Sequence, residues 1–443
     1  MTQPPSRHRN TRRAALALTV ALATVFATSA CTSSAGDTKL DTKADVTVTW
    51  WTGQADEAEK ILVGLAADYH KLHPNVTIDV SSGASTTDEL LQKLSAGFAS
   101  GKYPDISYAF GSWASELESS GKMQDITSKV AAPSVKWSEF TSAARGTAQP
   151  TGKATIGFPA VVDNLSLIYN KTVFDKAGVA YPTDAWTWDD FRAAAKKLTD
   201  PSTETYGYGY SVSGSEETTW QFWPHLWQNG GSILNKDATK ATFDSAAGVK
   251  ALDFLRGMAV DDKSVYLDQT DDKFAQLFAA DRIGMITSGP WQLSPLKTAK
   301  TQYGVVQLPS TDGSHQTVSG PDIWALTDSG KANENYWSYQ FLEWLTSADQ
   351  DLKWNVAYGN LPLRSSEVSS PEFAAQVKEY PGLDVMAANG SNATTPRPTV
   401  AGYNGLSVAI GKAISNVLQG QGTAADALKE AQTKADQALT SSK

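Results

Sequence analysis

Three tryptophans fall within the stretch Trp220-Gln221-Phe222-Trp223-Pro224-His225-Leu226-Trp227. Their spacing of i, i+3 and i+7 puts all three on one face of a predicted helix. An indole offers a flat apolar face to the C–H groups of a sugar and keeps one N–H for a hydroxyl. The competing reading is a helix that packs its indoles into a core. Spacing leaves both readings open for Trp220 and Trp223, while Trp227 is read as core. A further indole, Trp291, follows Ser288-Gly289-Pro290 at the end of a strand-like run, which is an exposed loop position. Asp163 interrupts the apolar run FPAVVDNLSLIYNK with Asn164 beside it, and a lone carboxylate there must be hydrogen-bonded to be tolerated. Arg397, between Pro396 and Pro398, is either a surface charge or a forked donor to hydroxyls or phosphate.

Other chemistries find no support. The pair His70 and His73 lacks a third ligand at metal spacing. Asp271-Asp272 and Asn235-Lys236-Asp237 do not follow a calcium-loop pattern. No Gly-rich phosphate loop and no G-x-S-x-G are found. Neither a catalytic residue, a metal ligand nor a cofactor is therefore expected.

Periodicity supplies the elements that would position these residues. Strands are predicted over 46–51, 76–80 and 106–110, separated by helices over 57–72 and 88–100. This β-α-β-α-β order implies a parallel sheet covered by helices, an α/β fold. In such sheets ligands sit beyond the carboxyl ends of the strands. Those loops carry Gln54, Ser82, Ser112 and Trp113. Further strands are expected over 206–210, 283–287, 304–308 and 324–326. Thr218 or Thr219 is expected to cap the Trp-rich helix, and Gly230-Gly231 to end it. Two helices, over 407–418 and 424–439, are expected to close the chain.

The chain has 443 residues, 41% hydrophobic and 19% charged, which suits a soluble protein of two domains. Net charge is −9; four arginines and no acid lie in the first thirty residues, so the remainder carries 34 − 47 = −13. An acidic body argues against nucleic acid or an anionic membrane surface as the main partner. Arg7 to Arg13 followed by a short apolar run forms an export signal over 1–30. The single cysteine, Cys31, sits at its end, and 31–44 reads as a flexible tether of roughly 20 Å.

The ordered blocks resemble an extracellular solute-binding protein of carbohydrate-importing ABC transporters, the class that includes maltose-binding proteins. They are the opening strand with Trp50, Trp51 and Gly53, YHKLHPNVTIDV, SLIYNK, WPHLWQNGG, GMITSGPW, LPLRS and ADALKEAQTKAD. The resemblance implies a two-lobe periplasmic-binding-protein-like fold (type II-like) with discontinuous lobes and a hinge. The first lobe would take 45–162 and 321–361, the second 163–320 and 362–443. It implies capture of a sugar or oligosaccharide in an aromatic-lined cleft by hinge closure, delivery to permease subunits, and no chemical step. It assigns stacking to Trp291 and Trp220, hydroxyl binding to Asp163, and ligand contacts to Asn164, Ser112, Trp113, Gln54, Ser82, Trp223, Gly320, Asp322, Arg397 and Tyr403. It also implies a monomer anchored outside the cell membrane by lipid on Cys31. The alternatives are a binder of a polyol phosphate such as glycerol phosphate, or of a peptide, and a secreted glycoside hydrolase. A hydrolase would need a second carboxylate roughly 5–9.5 Å from the first.

Overall fold

Alternation in Val46–Trp51 turns Val46, Val48 and Trp50 inward, where all three are buried. This strand, β1, lies between the two other parallel strands of the amino-terminal α/β unit. The computed structural model describes residues 39–84, 87–311, 313–395 and 397–441; the export signal and Cys31 lie outside these. β1 pairs in parallel with β2 (Val76–Ser81) and β3 (Ile106–Ala109). The helices Asp56–Leu72 and Thr87–Ser100 make the crossovers, as the periodicity predicts.

The sheet is not wholly parallel. Its order is β2-β1-β3-β10-β4, with β10 (Asp322–Leu326) antiparallel between β3 and β4 (Gly157–Val161). β10 does not arrive through a βα crossover within its own lobe. It returns from the second sheet, so the crossover rule that aligns β1, β2 and β3 does not bind it. The second sheet repeats the plan. Its order is β7-β6-β8-β5-β9, formed by Val265–Asp268, Tyr206–Ser211, Ile283–Ser288, Ser166–Asn170 and Tyr303–Val306. β6 is parallel to β7 and β8, and β5 is antiparallel to β8 and β9. In each lobe the antiparallel strand inside the sheet is the one entering from the other lobe.

The apolar run broken at Asp163-Asn164 is therefore two strands, with the break crossing between lobes. The return crossing runs beside it. Asn164 bridges Ser319, Leu165 donates its N–H to the Val318 carbonyl (3.3 Å), and Ser319 Oγ donates to the Asp163 carbonyl (2.8 Å). A third passage involves residues 354–363. Trp354 and Leu363 pack in the core under the first sheet, whereas Val356 and Leu361 pack under the second. Asn355 Nδ2 ties this passage to the Ala160 carbonyl at 2.9 Å.

The Trp-rich helix spans Glu216–Gln228, one turn earlier than its expected cap. Ser215 occupies the cap position. Thr218 Oγ instead accepts from the Gly214 N–H at 3.0 Å, within the turn before the helix. Gly230, at φ 82°, ends it as predicted. Every residue from Thr218 to Gln228 is buried. The helix is sandwiched by Tyr403–Leu418 and Ala246–Arg256 and has no outward face. The closing pair is Tyr403–Leu418 and Ala424–Ser441. No described helix is long and apolar enough to cross a membrane.

Candidate functional site

Arg397 is the node at which the two lobes meet. Its side chain is 8% exposed. Nη1 donates to Glu216 Oε1 at 2.8 Å, and Nη2 lies 3.9 Å from Asp322 Oδ1. Glu216 comes from the first turn of the Trp-rich helix, and Asp322 from the start of β10, where the pairing with β4 slips by a bulge. Burial works against the Arg397 charge, but Glu216, Tyr403 and Asp322 outweigh it and hold the guanidinium protonated.

Asp322 is held from the first lobe. Gly111 donates its N–H to Oδ1 at 2.9 Å and the Tyr108 hydroxyl donates to Oδ2. Asp163 lies on the neighbouring crossing and accepts the Gly320 N–H at 3.1 Å. Burial is the main cause that lifts both carboxyls above the usual range. The Asp322 charge lifts Asp163 further, while Arg397 pulls both back.

Trp220 does not present a bare shelf. Its ring is 8% exposed, with the Arg397 guanidinium 4.8 Å above its centroid and the backbone of Gly320 pressed against its six-membered ring. The indole N–H, the Gln221 Oε1 beside it and Ser112 Oγ are buried without a hydrogen-bond partner among the described residues.

Trp291 is half-buried in the turn Pro290–Gln292 after β8, its ring folded over Gly289. Its indole N–H donates to Asp271 Oδ2 at 2.7 Å, an oxygen that also accepts from Gln292 Nε2 (2.9 Å). Asp271 in turn donates its backbone N–H to Glu217 Oε1 at 2.8 Å. Burial, then the Asp271 charge, pushes the Glu217 carboxyl up to about 8. Neighbouring Glu216 and Glu217 thus connect the two aromatic positions.

This constellation has aromatic faces, hydroxyl acceptors and one shielded cation, joined where chain segments cross between lobes. A family model described as bacterial extracellular solute-binding protein matches residues 64–383. The chain belongs to that family.

Relatives of this solute-binding protein agree over most of its length. A binding protein of Brucella abortus is 26% identical over 361 residues, covering 80% of this chain and 84% of the relative. A Thermotoga lettingae solute-binding protein solved with α-D-tagatose is 26% identical, with a TM-score of 0.78, covering 89% of this chain and 99% of that one. UgpB of Mycobacterium tuberculosis, solved with glycerophosphocholine, shares the fold at a TM-score of 0.80 with 16% identity, over 89% and 99% of the two chains. The family binds solutes and is not a family of enzymes, which ends the hydrolase reading.

The solute-binding fold brings together Trp220, Asp163, Gly320, Asp322 and Arg397, with Trp291 joined through the acids. Other expected residues are placed differently. Asn164 is spent on the fold: Nδ2 donates to the Met386 carbonyl at 2.8 Å and Oδ1 accepts from Asn389. Trp113 is 1% exposed, packed on Phe110 with ring centroids 5.1 Å apart, because the turn after β3 folds back into the first core. Trp223 is fully buried and donates to the Tyr403 hydroxyl at 3.1 Å. Tyr403 is itself fully buried and reaches Glu216 Oε1 at 3.2 Å rather than a ligand face. Trp227 belongs to the core, as expected. Gln54 and Ser82 are half-buried at the ends of β1 and β2, where Gly53 donates its N–H to the Ser82 carbonyl at 3.0 Å. The residues missed in the sequence are Glu216, Glu217, Asp271 and Tyr108. Glu216 and Glu217 fell ahead of the expected cap at Thr218 or Thr219, and only the structure shows them in the first turn of the helix, where the dipole favours an acid.

Proposed function

We propose that this solute-binding protein captures an uncharged sugar or oligosaccharide between its lobes and passes it to the permease subunits of an ABC importer. The carrying observation is the composition of the site: Asp163, Asp322 and Glu216 surround a single cation, Arg397, beside Trp220. A carboxyl oxygen accepts from a sugar hydroxyl whether or not the group carries a proton, whereas an acid-ringed cation offers an anion little attraction. Trp291, half-exposed and anchored through its N–H, supplies the second apolar face. Ligand roles for Asn164, Trp113, Trp223 and Tyr403 then become indirect, through the walls of the site. The sugar held by the Thermotoga lettingae relative supports the same class.

Binding closes the lobes about the crossings at Asp163 and Gly320, by analogy with hinge-bending receptors. The lobe limits 45–162 with 321–361, and 163–320 with 362–443, belong to this reading. So do export, a lipid anchor on Cys31 at the outer face of the membrane and a monomeric state. A polyol phosphate is the second reading, favoured by the position of Arg397. A thermal-shift panel of mono-, di- and oligosaccharides beside glycerol 3-phosphate separates the two. Stabilisation by a neutral sugar supports the first; a shift with glycerol 3-phosphate alone overturns it.

A further inference from the structure

Among the described residues of the site Arg397 is the one cation, and its charge is already engaged. Resting on the neutral-sugar reading, we propose that Glu216 and Asp322 set the selectivity of this site: they shield Arg397, so that hydroxyl ligands are accepted and phosphorylated ones refused. Glu216 touches Nη1 at 2.8 Å and Asp322 stands 3.9 Å from Nη2 on the opposite lobe. The three side chains are 11%, 5% and 8% exposed, so water screens them little.

Glu216 cannot swing aside to release the guanidinium. Oε1 also accepts from the Tyr403 hydroxyl at 3.2 Å, and Oε2 accepts from Ser407 Oγ. Ser407 is tied in turn to Thr219 Oγ at 2.8 Å. Arg397 is equally fixed. A Cβ on Gly320 would stand 2.8 Å from Nη2 and one on Gly111 3.3 Å from it, so these two glycines leave just enough room for the guanidinium. The ring of Trp220 lies against the group at 4.8 Å. A phosphate reaching Arg397 would bring its charge against the fixed, buried acids Glu216 and Asp322 and compete with them for one cation, an unfavourable exchange. A sugar hydroxyl asks for no such exchange, because it can accept from an Arg397 N–H while the ion pair persists. Glu216 and Asp322 are thus positioning residues, acting through Arg397.

The test is isothermal titration of the protein with the best neutral sugar of the panel, with glycerol 3-phosphate and with inorganic phosphate. E216Q and D322N are compared with the charge-preserving E216D. Glu216→Gln is isosteric and keeps an oxygen for Arg397. Each neutralising variant is expected to move the ratio of anion to sugar affinity toward the anion by about tenfold or more, an effect that salt weakens, while E216D keeps the ratio of the unmodified protein. Should E216Q not fold, D322N carries the same expectation from the other lobe. Folded neutralising variants whose ratio stays within about threefold of the unmodified protein overturn the shield, with sugar binding intact. An unmodified protein that binds glycerol 3-phosphate more tightly than any sugar overturns the shield without the variants. Absence of binding to any neutral sugar overturns instead the reading on which the shield rests.

Discussion

Gly320 lies flat against Trp220: a Cβ added to the glycine would stand 2.3 Å from two carbons of the indole. The contact joins a lobe crossing to the Trp-rich helix. Gly320→Ala forces the ring or the crossing to move and costs about 1–3 kcal/mol. Urea unfolding reads the loss, and ligand affinity falls with it because Arg397 and Asp163 border the same backbone. Unchanged stability and affinity in the variant would show that the contact is slack.

Trp291 and Trp227 separate binding from folding. Trp227 is 7% exposed within the second-lobe core, so Trp227→Ala costs about 3–5 kcal/mol of stability. Its folded fraction keeps most of its sugar affinity. Trp291→Ala removes a half-exposed face and the donor to Asp271, and affinity drops by about tenfold or more. Calorimetry on folded material checks both. Equal losses, with Trp227→Ala normally folded, contradict the split.

Asp163 predicts a pH dependence. Burial, then the Asp322 charge, raises its carboxyl from 3.8 to about 8. A raised carboxyl favours the protonated form in the fold. Its stabilisation is complete below the ordinary carboxylate pKa and is lost as pH climbs from about 4 toward about 8. Asp163→Asn keeps an oxygen for the Gly320 N–H and cannot ionise. The variant therefore gains on the unmodified protein by about 1–3 kcal/mol between pH 4 and 8. Urea midpoints measured across that range test it; parallel curves for the two proteins sink it.

Arg364, in the block LPLRS, reads as a family signature yet is wholly structural. It is 4% exposed, donates through Nε to the Thr346 carbonyl at 2.7 Å and through Nη1 to the Val135 carbonyl at 3.1 Å, and lies 4.1 Å over the Phe140 ring. Its loss takes these donors from the buried Thr346 and Val135 carbonyls and removes one of the two cations that pair with Glu139, 3.6 Å away. Arg364→Ala is expected to cost about 3–5 kcal/mol in thermal or urea unfolding. A cost below about 1 kcal/mol would mean that the pairing is solvated.

The first lobe was legible because its strands obey period two and its helices period 3.6, with Pro and Gly at the breaks. The interruption of the apolar run at Asp163-Asn164 was legible too, since two polar residues there require partners, but that the chain crosses between lobes at this point came from the family resemblance alone. The antiparallel insertion of β10 was not, because strand direction depends on where the chain has been between Val161 and Asp322. The helices Pro371–Glu379 and Leu383–Asn389 escaped notice. They are short and present few apolar residues, so neighbouring packing rather than propensity makes them.

Within the site, long-range pairs hid best. Glu216 fell ahead of the cap expected at Thr218 or Thr219, and its partner Arg397 is 181 residues away. Trp223 and Trp220 share a helical face by spacing, but the helix is buried on all sides, so spacing alone could not say which indole borders the site. Trp113 misled for a related reason. A tryptophan just after a strand end suggests a ligand loop, yet here the turn carries it inward.

The central claim, capture of an uncharged sugar at an acid-lined, tryptophan-bordered junction, is met most directly by titrating the protein calorimetrically with neutral mono- to oligosaccharides and with glycerol 3-phosphate. Saturable binding of at least one neutral sugar, weakened by Trp291→Ala and unaffected by excess glycerol 3-phosphate, is the expected result. Tight binding of glycerol 3-phosphate with no heat from any neutral sugar would contradict it.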